Sequence, residues 1–145
     1  MGLVTEVIER LSEESELHSN DVSETIREKM SRVLNDLMVD NSGFFGATIS
    51  SIDGIAWAEN IAPGFDKHRF AAMSSSLLAI SDELAREVER GATNNVLIEG
   101  EEGKILIMHA GPTLLLTIFT KKDLTLGMAL AHAKTATAKI ESMHV

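Results

Sequence analysis

Cysteine and tyrosine are absent from this 145-residue chain, proline occurs twice, tryptophan once, and aromatic residues make up only 4% of the total. Without cysteine there is no disulfide framework, no thiol nucleophile and no thiolate metal site, a composition compatible with a reducing compartment. Positive charge is scarce as well: 13 basic residues face 22 acidic ones, and the formal charge of −9 argues against nucleic acid or an anionic membrane as the main partner. No apolar run approaches the roughly 20 residues of a membrane span. The N-terminus has neither the basic flank nor the apolar stretch of a secretion signal. Glu6 stands where N-myristoylation of Gly2 would require Ser or Thr. These exclusions make the cytoplasm the expected compartment, and the length suits one domain able to bury a core without covalent staples.

What the chain does have is one long helical pattern from Asp66 to Arg90. Phe70, Met73, Leu77, Ile80, Leu84 and Val88 recur at intervals of three and four, which places bulky apolar groups on one stripe and predicts that this stripe faces the core. About 180° away lies a second row, His68, Ala72, Ser75, Ala79, Asp82 and Arg86, small at its centre and with Leu78 beside it. Small residues in register let another backbone come close, so this row is expected to dock on a second helix, most simply that of an identical chain. Charge placed at Leu78 or Ala79 is then expected to separate the two copies. The alternative is an exposed face chosen for helix propensity.

Around this helix the periodicity changes several times. Leu3, Val4, Val7, Ile8 and Leu11 suggest a short helix within an N-terminal extension over residues 1–20, separate from a domain over 21–145. Asp21 and Glu24 are spaced to cap the next helix, whose stripe is Val22, Ile26, Met30, Val33, Leu34, Leu37 and Met38. Alternation then predicts a hairpin: a strand through Phe45, Ala47 and Ile49, a turn at Asp53-Gly54, and a second strand over Ile55–Glu59. Asp66 is placed to cap the long helix and Gly91 to end it. Strands are expected over Asn95–Glu99, Lys104–Ala110 and Thr113–Thr120, whose short links require antiparallel neighbours. A last helix runs over Leu126–Met143 with Leu130, Ala133, Thr137 and Ile140 inward. The resulting fold class is α/β (α+β): one five-stranded antiparallel sheet, the long central helix on one face and the N- and C-terminal helices on the other.

Reactive constellations are weak. His18, His68, His109, His132 and His144 never pair at a spacing of three or four, and no carboxylate cluster supplies a metal's ligand count, so no metal or cofactor is expected. His109 reads as a hydrogen-bonded structural histidine, with a general base as the minor alternative. Gly100, Gly103 and Lys104 lack the spacing and the following helix of a phosphate loop and form a hairpin turn. Ser74, Ser75 and Ser76 sit within a helix without an adjacent base. Trp57 belongs either to the core or to a partner contact. No enzymatic activity is expected.

The order of elements, with Ser51, Asp53 and Gly54 at the hairpin, Ala71, Ala72, Met73, Ser74, Ser75, Ser76 and Leu77 in the helix, and Glu99, Gly103, Gly111, Leu115 and Gly127 beyond it, resembles the roadblock and dynein light-chain family over about residues 22–143. That resemblance implies a profilin-like α/β/α sandwich that dimerises through its central helix and the adjoining sheet edge, here Asn95–Glu99. The implied dimer interface comprises His68, Ala71, Ala72, Ser75, Leu78, Ala79, Asp82 and Arg86 on the helix, with Val96 and Ile98 on the strand. The resemblance further implies non-catalytic work as a homodimeric regulator or scaffold of a small Ras-like GTPase, with Trp57, Arg69, Glu83 and Arg86 as the partner-binding set. With no arginine finger evident, any effect on hydrolysis would come from repositioning the GTPase's own switch residues. Arg86 is expected to pair with Asp82 one turn earlier. A competing reading is a small-ligand sensory module, which requires a cavity lined by residues such as Met73, Leu77 and Met108.

Overall fold

The computed structural model describes residues 25–145. The expected N-terminal helix, the boundary at residue 20 and the Asp21/Glu24 cap lie outside the described residues. Helix α1 occupies residues 25–40. It is followed by β1 (Phe44–Ser51), β2 (Ala56–Asn60), α2 (Lys67–Glu87), β3 (Asn95–Gly100), β4 (Gly103–His109), β5 (Leu114–Thr120) and α3 (Leu126–Glu141). The strands form one antiparallel sheet in the order β2-β1-β5-β4-β3. Short turns link β1 to β2 and β3 through β5, while α2 carries the chain from one edge of the sheet to the other.

The β1–β2 hairpin shows why the local sequence is what it is. Gly54 donates to the Ser51 carbonyl over 3.0 Å and sits at φ 86°, a conformation that costs a side-chain-bearing residue energy, and the Ser51 hydroxyl accepts from the Ile55 amide at 3.1 Å. Asp66 caps α2 as its position predicts, its carboxylate accepting from the His68 and Arg69 amides at 3.0 and 3.2 Å.

Alternation along the strands divides the interior into two layers. Ala47, Ile49, Leu106, Met108, Leu114, Leu116 and Ile118 join Met30, Val33, Leu34 and Leu37 of α1 and Ala129, Ala133, Ala136 and Ile140 of α3 in the larger core. Leu130 and Thr137, expected at the centre of the inward face of α3, stand half-buried at its margins. Alanine at the closest points lets α3 lie near the sheet. On the opposite face Leu115 and Ile107 pack with Leu78 of α2, and Leu77, Val96 and Ile105 flank them.

That second layer overturns the expected orientation of α2. Its buried residues are Ala71, Ser74 and Leu78, whereas Met73, Ile80, Leu84 and Val88 of the expected core stripe are 52%, 64%, 66% and 56% exposed. The sheet explains the change, which turns inward not the small row, whose Ala72 and Ala79 are exposed, but the face between the two rows. Where β1 and β5 pass beneath the helix they present Thr48, Ser50 and Thr117, all buried and small, and a helix approaches such a surface best with its own small residues. Bulky groups of the other row are thereby turned outward.

The helix also stops earlier than expected. Glu89 donates to the Arg86 carbonyl at 3.0 Å and Arg90 to that of Ala85 at 2.8 Å, with Glu89 left-handed at φ 58°. This is the double closure of a Schellman motif, placed two residues before Gly91.

Candidate interaction surface

The central helix offers two unlike flanks. On one, Met73, Ile80, Leu84 and Val88 make an apolar row about 22 Å long, and Phe70 and Leu77 are half-buried alongside it. Val96 and Ile98 of the edge strand β3 are half-buried on this same face of the sheet. Beyond the N-terminal end of the row lies a chain of aromatic rings: Phe45 meets Phe65 edge-on at 5.6 Å, Phe65 lies 6.0 Å from Phe70, and Phe70 lies 5.3 Å from Phe119. Phe45 and Phe65 are themselves exposed. A run of bulky apolar groups left in water at this length makes this flank the candidate interaction surface. Sequence reasoning assigned it to the core. The available signal was the small, hydroxyl-bearing Thr48, Ser50 and Thr117 of the strands beneath, which narrow the hydrophobic bed on this face to Leu115, Ile107 and their neighbours.

The other flank meets the tips of two hairpins. Ser75 donates its hydroxyl to the Ile52 carbonyl in the β1–β2 turn, fastening helix to turn. Between them opens a cleft of about 280 Å³, floored by Leu78 and Leu115 and bounded by Ile52, Pro112, Asp82 and Arg86, with His109 at its end. Asp82 does not pair with Arg86, contrary to expectation. Its two carboxylate oxygens take the Thr93 amide at 3.0 Å and face the His109 imidazole at 3.3 Å, binding α2 to the approach of β3 and the end of β4. Burial raises the Asp82 pKa, but the Thr93 backbone and hydroxyl hydrogen bonds and then His109 more than offset this, holding the carboxyl below its ordinary 3.8. The Arg86 side chain makes no hydrogen bond or ion pair among the described residues. His109 is thus hydrogen-bonded, as expected from its position.

The expected dimer-interface residues are divided by this geometry. Ala71 and Leu78, 1% and 2% exposed, are covered by the chain's own sheet and belong to the interior. His68, Ala72, Ala79 and Arg86 are exposed on the helix, and Ser75 and Asp82 are half-buried and engaged with the hairpin turn and with Thr93 and His109. Among the expected partner-binding residues, Arg69, Glu83 and Arg86 are exposed on α2, but Trp57 packs against the α1/α3 core, where the Arg27 guanidinium lies 5.0 Å above its ring. The four are not brought together. Nor do Met73, Leu77 and Met108 line one cavity: Met73 is exposed, while Met108 is buried in the layer on the opposite face of the sheet. Among the described residues, no three His, Asp or Glu side chains gather in metal-holding geometry, and no helix is long and apolar enough to cross a membrane.

Comparison with known proteins agrees with this architecture. The uncharacterised protein MJ1340 of Methanocaldococcus jannaschii is 30% identical over 112 residues, spanning 77% of this chain and 96% of that one. MglB of Myxococcus xanthus superposes with a TM-score of 0.76 at 16% identity, over 81% of this chain and 89% of its own. Profilin IB of Acanthamoeba castellanii does so at 0.60 and 12% identity, over 79% and 98%, so the sandwich is profilin-like. The Roadblock/LC7 domain model matches residues 30–120, and the chain belongs to that family.

Proposed function

We propose that this protein is a non-catalytic, homodimeric regulator or scaffold for a small Ras-like GTPase and works in the cytoplasm. The observation that carries the reading is the exposed row Met73, Ile80, Leu84 and Val88 beside the open edge of β3. Two copies related by a two-fold axis would bring these rows together and let β3 meet β3, a self-complementary arrangement in which each chain buries what its own sheet leaves exposed. An interface of about 800 Å² per partner is what such an assembly ordinarily needs. The expected interface therefore keeps Val96 and Ile98 but replaces the small row with the bulky one.

The GTPase part of the reading rests on family membership. In this proposal the exposed Arg69, Glu83 and Arg86 remain available to the GTPase, and any change in its hydrolysis rate arises from repositioning its own switch residues. The test is to mix the purified full chain with the Ras-like GTPase encoded in the same genomic neighbourhood, loaded with GDP or with a non-hydrolysable GTP analogue. A complex whose affinity depends on the nucleotide is expected. Failure to bind in both states would overturn the assignment.

A further inference from the structure

The cleft on the far flank of α2 is not used by the proposed dimer, and its chemistry is specific. The exposed Ile52, Ala79 and Pro112 give it apolar walls, above the buried Leu78 and Leu115 at its base. Arg86 supplies a cation whose guanidinium has no counter-ion among the described residues, in a chain whose acidic residues outnumber its basic ones by 22 to 13. The nearest candidate to neutralise it, Asp82, is turned away and held by Thr93 and His109. We propose that this cleft receives an apolar side chain adjoining a carboxylate on a polypeptide partner, the side chain seated between Ile52, Ala79 and Pro112 and the carboxylate on the Arg86 guanidinium.

Size and position favour a peptide over an enclosed metabolite. At about 280 Å³ the cleft falls just short of ordinary small-molecule cavities, and it lies at the rim of the sheet between two hairpin tips, where a protruding segment has direct access. Arg presents a planar fork of donors that matches a carboxylate, and a desolvating floor beside it strengthens the pairing. Ser75 shapes the wall, because its bond to the Ile52 carbonyl holds the hairpin lip against the helix. The inference rests on the partner-binding reading above but not on the dimer, since Arg86 and the exposed apolar row occupy different flanks of α2.

The probes are acetyl-Leu-Asp-amide and its neutral counterpart acetyl-Leu-Asn-amide, titrated into the isotope-labelled full chain and followed by amide NMR shifts. Saturable millimolar binding is expected, with shifts centred on Ile52, Ser75, Ala79 and Arg86 and the acid bound about three- to fivefold more tightly than the amide. Arg86→Gln should abolish that preference and Arg86→Lys should retain part of it, both on an exposed site where the fold is unaffected. Absence of saturable cleft shifts, equal affinity for acid and amide, or an unaltered preference in Arg86→Gln would each overturn the proposal. Movement of the cleft signals with protein concentration alone would assign the site to a second copy and overturn it likewise. Leu84→Glu, which addresses the dimer, should leave the peptide shifts unchanged, so the two readings fail separately.

Discussion

Thr117 on β5 donates its hydroxyl to that of Ser74 on α2 across 2.9 Å, deep within the layer where the central helix lies on the sheet. Thr48, directly opposite Thr117 on β1, has a buried hydroxyl with no hydrogen-bond partner among the described residues. The bond therefore joins helix to sheet at a place where hydrophobic contact is sparse. Removing one member strands the other in a dry site. Ser74→Ala should cost about 1–3 kcal/mol in chemical denaturation, and adding Thr117→Val should restore part of that loss, because no unpaired hydroxyl then remains. A double-mutant cycle showing strict additivity would contradict this coupling.

Asp82 makes stability depend on acid. Its carboxyl is held below 3.8 in the folded chain, so the stabilisation is fully present above the unfolded value and is lost as pH falls through the lower folded one. Asp82→Asn should lower stability at neutral pH by about 1 kcal/mol, through its altered contacts with Thr93 and His109. Below about pH 4 its stability should fall less steeply than that of the parent chain. Parallel acid limbs in the two denaturation profiles would refute the assignment.

The parts of this structure that were legible in the sequence are those set by local chemistry. Asp66 caps α2 because a carboxylate two and three residues ahead of free amides reaches them in any context, and Asp53-Gly54 turns the hairpin for an equally local reason. Contacts that depend on distant residues were not legible. Arg86 lies one turn from Asp82, which suggested a pair, yet Thr93 and His109 arrive from elsewhere and take both oxygens. Trp57 is claimed by Arg27, thirty residues earlier in the chain. The orientation of α2 failed for a more instructive reason. Periodicity shows that a helix has a bulky row and a small row, but which face turns inward is decided by the sheet, and here Thr48, Ser50 and Thr117 receive neither row but the face between them, Ala71, Ser74 and Leu78. That the helix carries more than one distinct face was foreseeable, and which face meets the sheet was not.

Glu89 occupies a left-handed conformation at the end of α2, at φ 58°, where the absence of a Cβ would relieve strain. Glu89→Gly should therefore stabilise the chain by up to about 1 kcal/mol, raising the melting temperature by roughly 2–4 °C. Gly91 is left-handed as well, at φ 83°, with nothing within 4 Å of an added Cβ. Gly91→Ala should thus shift the melting temperature downward through backbone strain alone. A stabilising Gly91→Ala or a destabilising Glu89→Gly would show that these termini relax on substitution.

The decisive prediction concerns which face of α2 would meet a second chain in the proposed dimer. Ile80 and Leu84 are 64% and 66% exposed in the isolated protomer, so a charge there is tolerated by the fold. Ile80→Glu and Leu84→Glu should each give a folded monomer in sedimentation equilibrium, because pairing the rows would bury that charge without a partner. Leu78→Glu behaves differently, since Leu78 is 2% exposed beneath the helix: it should lose several kcal/mol of stability and fail as a folded chain. Ala79→Arg falls on the cleft flank and should remain dimeric. If Ala79→Arg separates the protomers while Ile80→Glu and Leu84→Glu do not, the small row is the interface after all, and the bulky row must be covered by something other than its own copy.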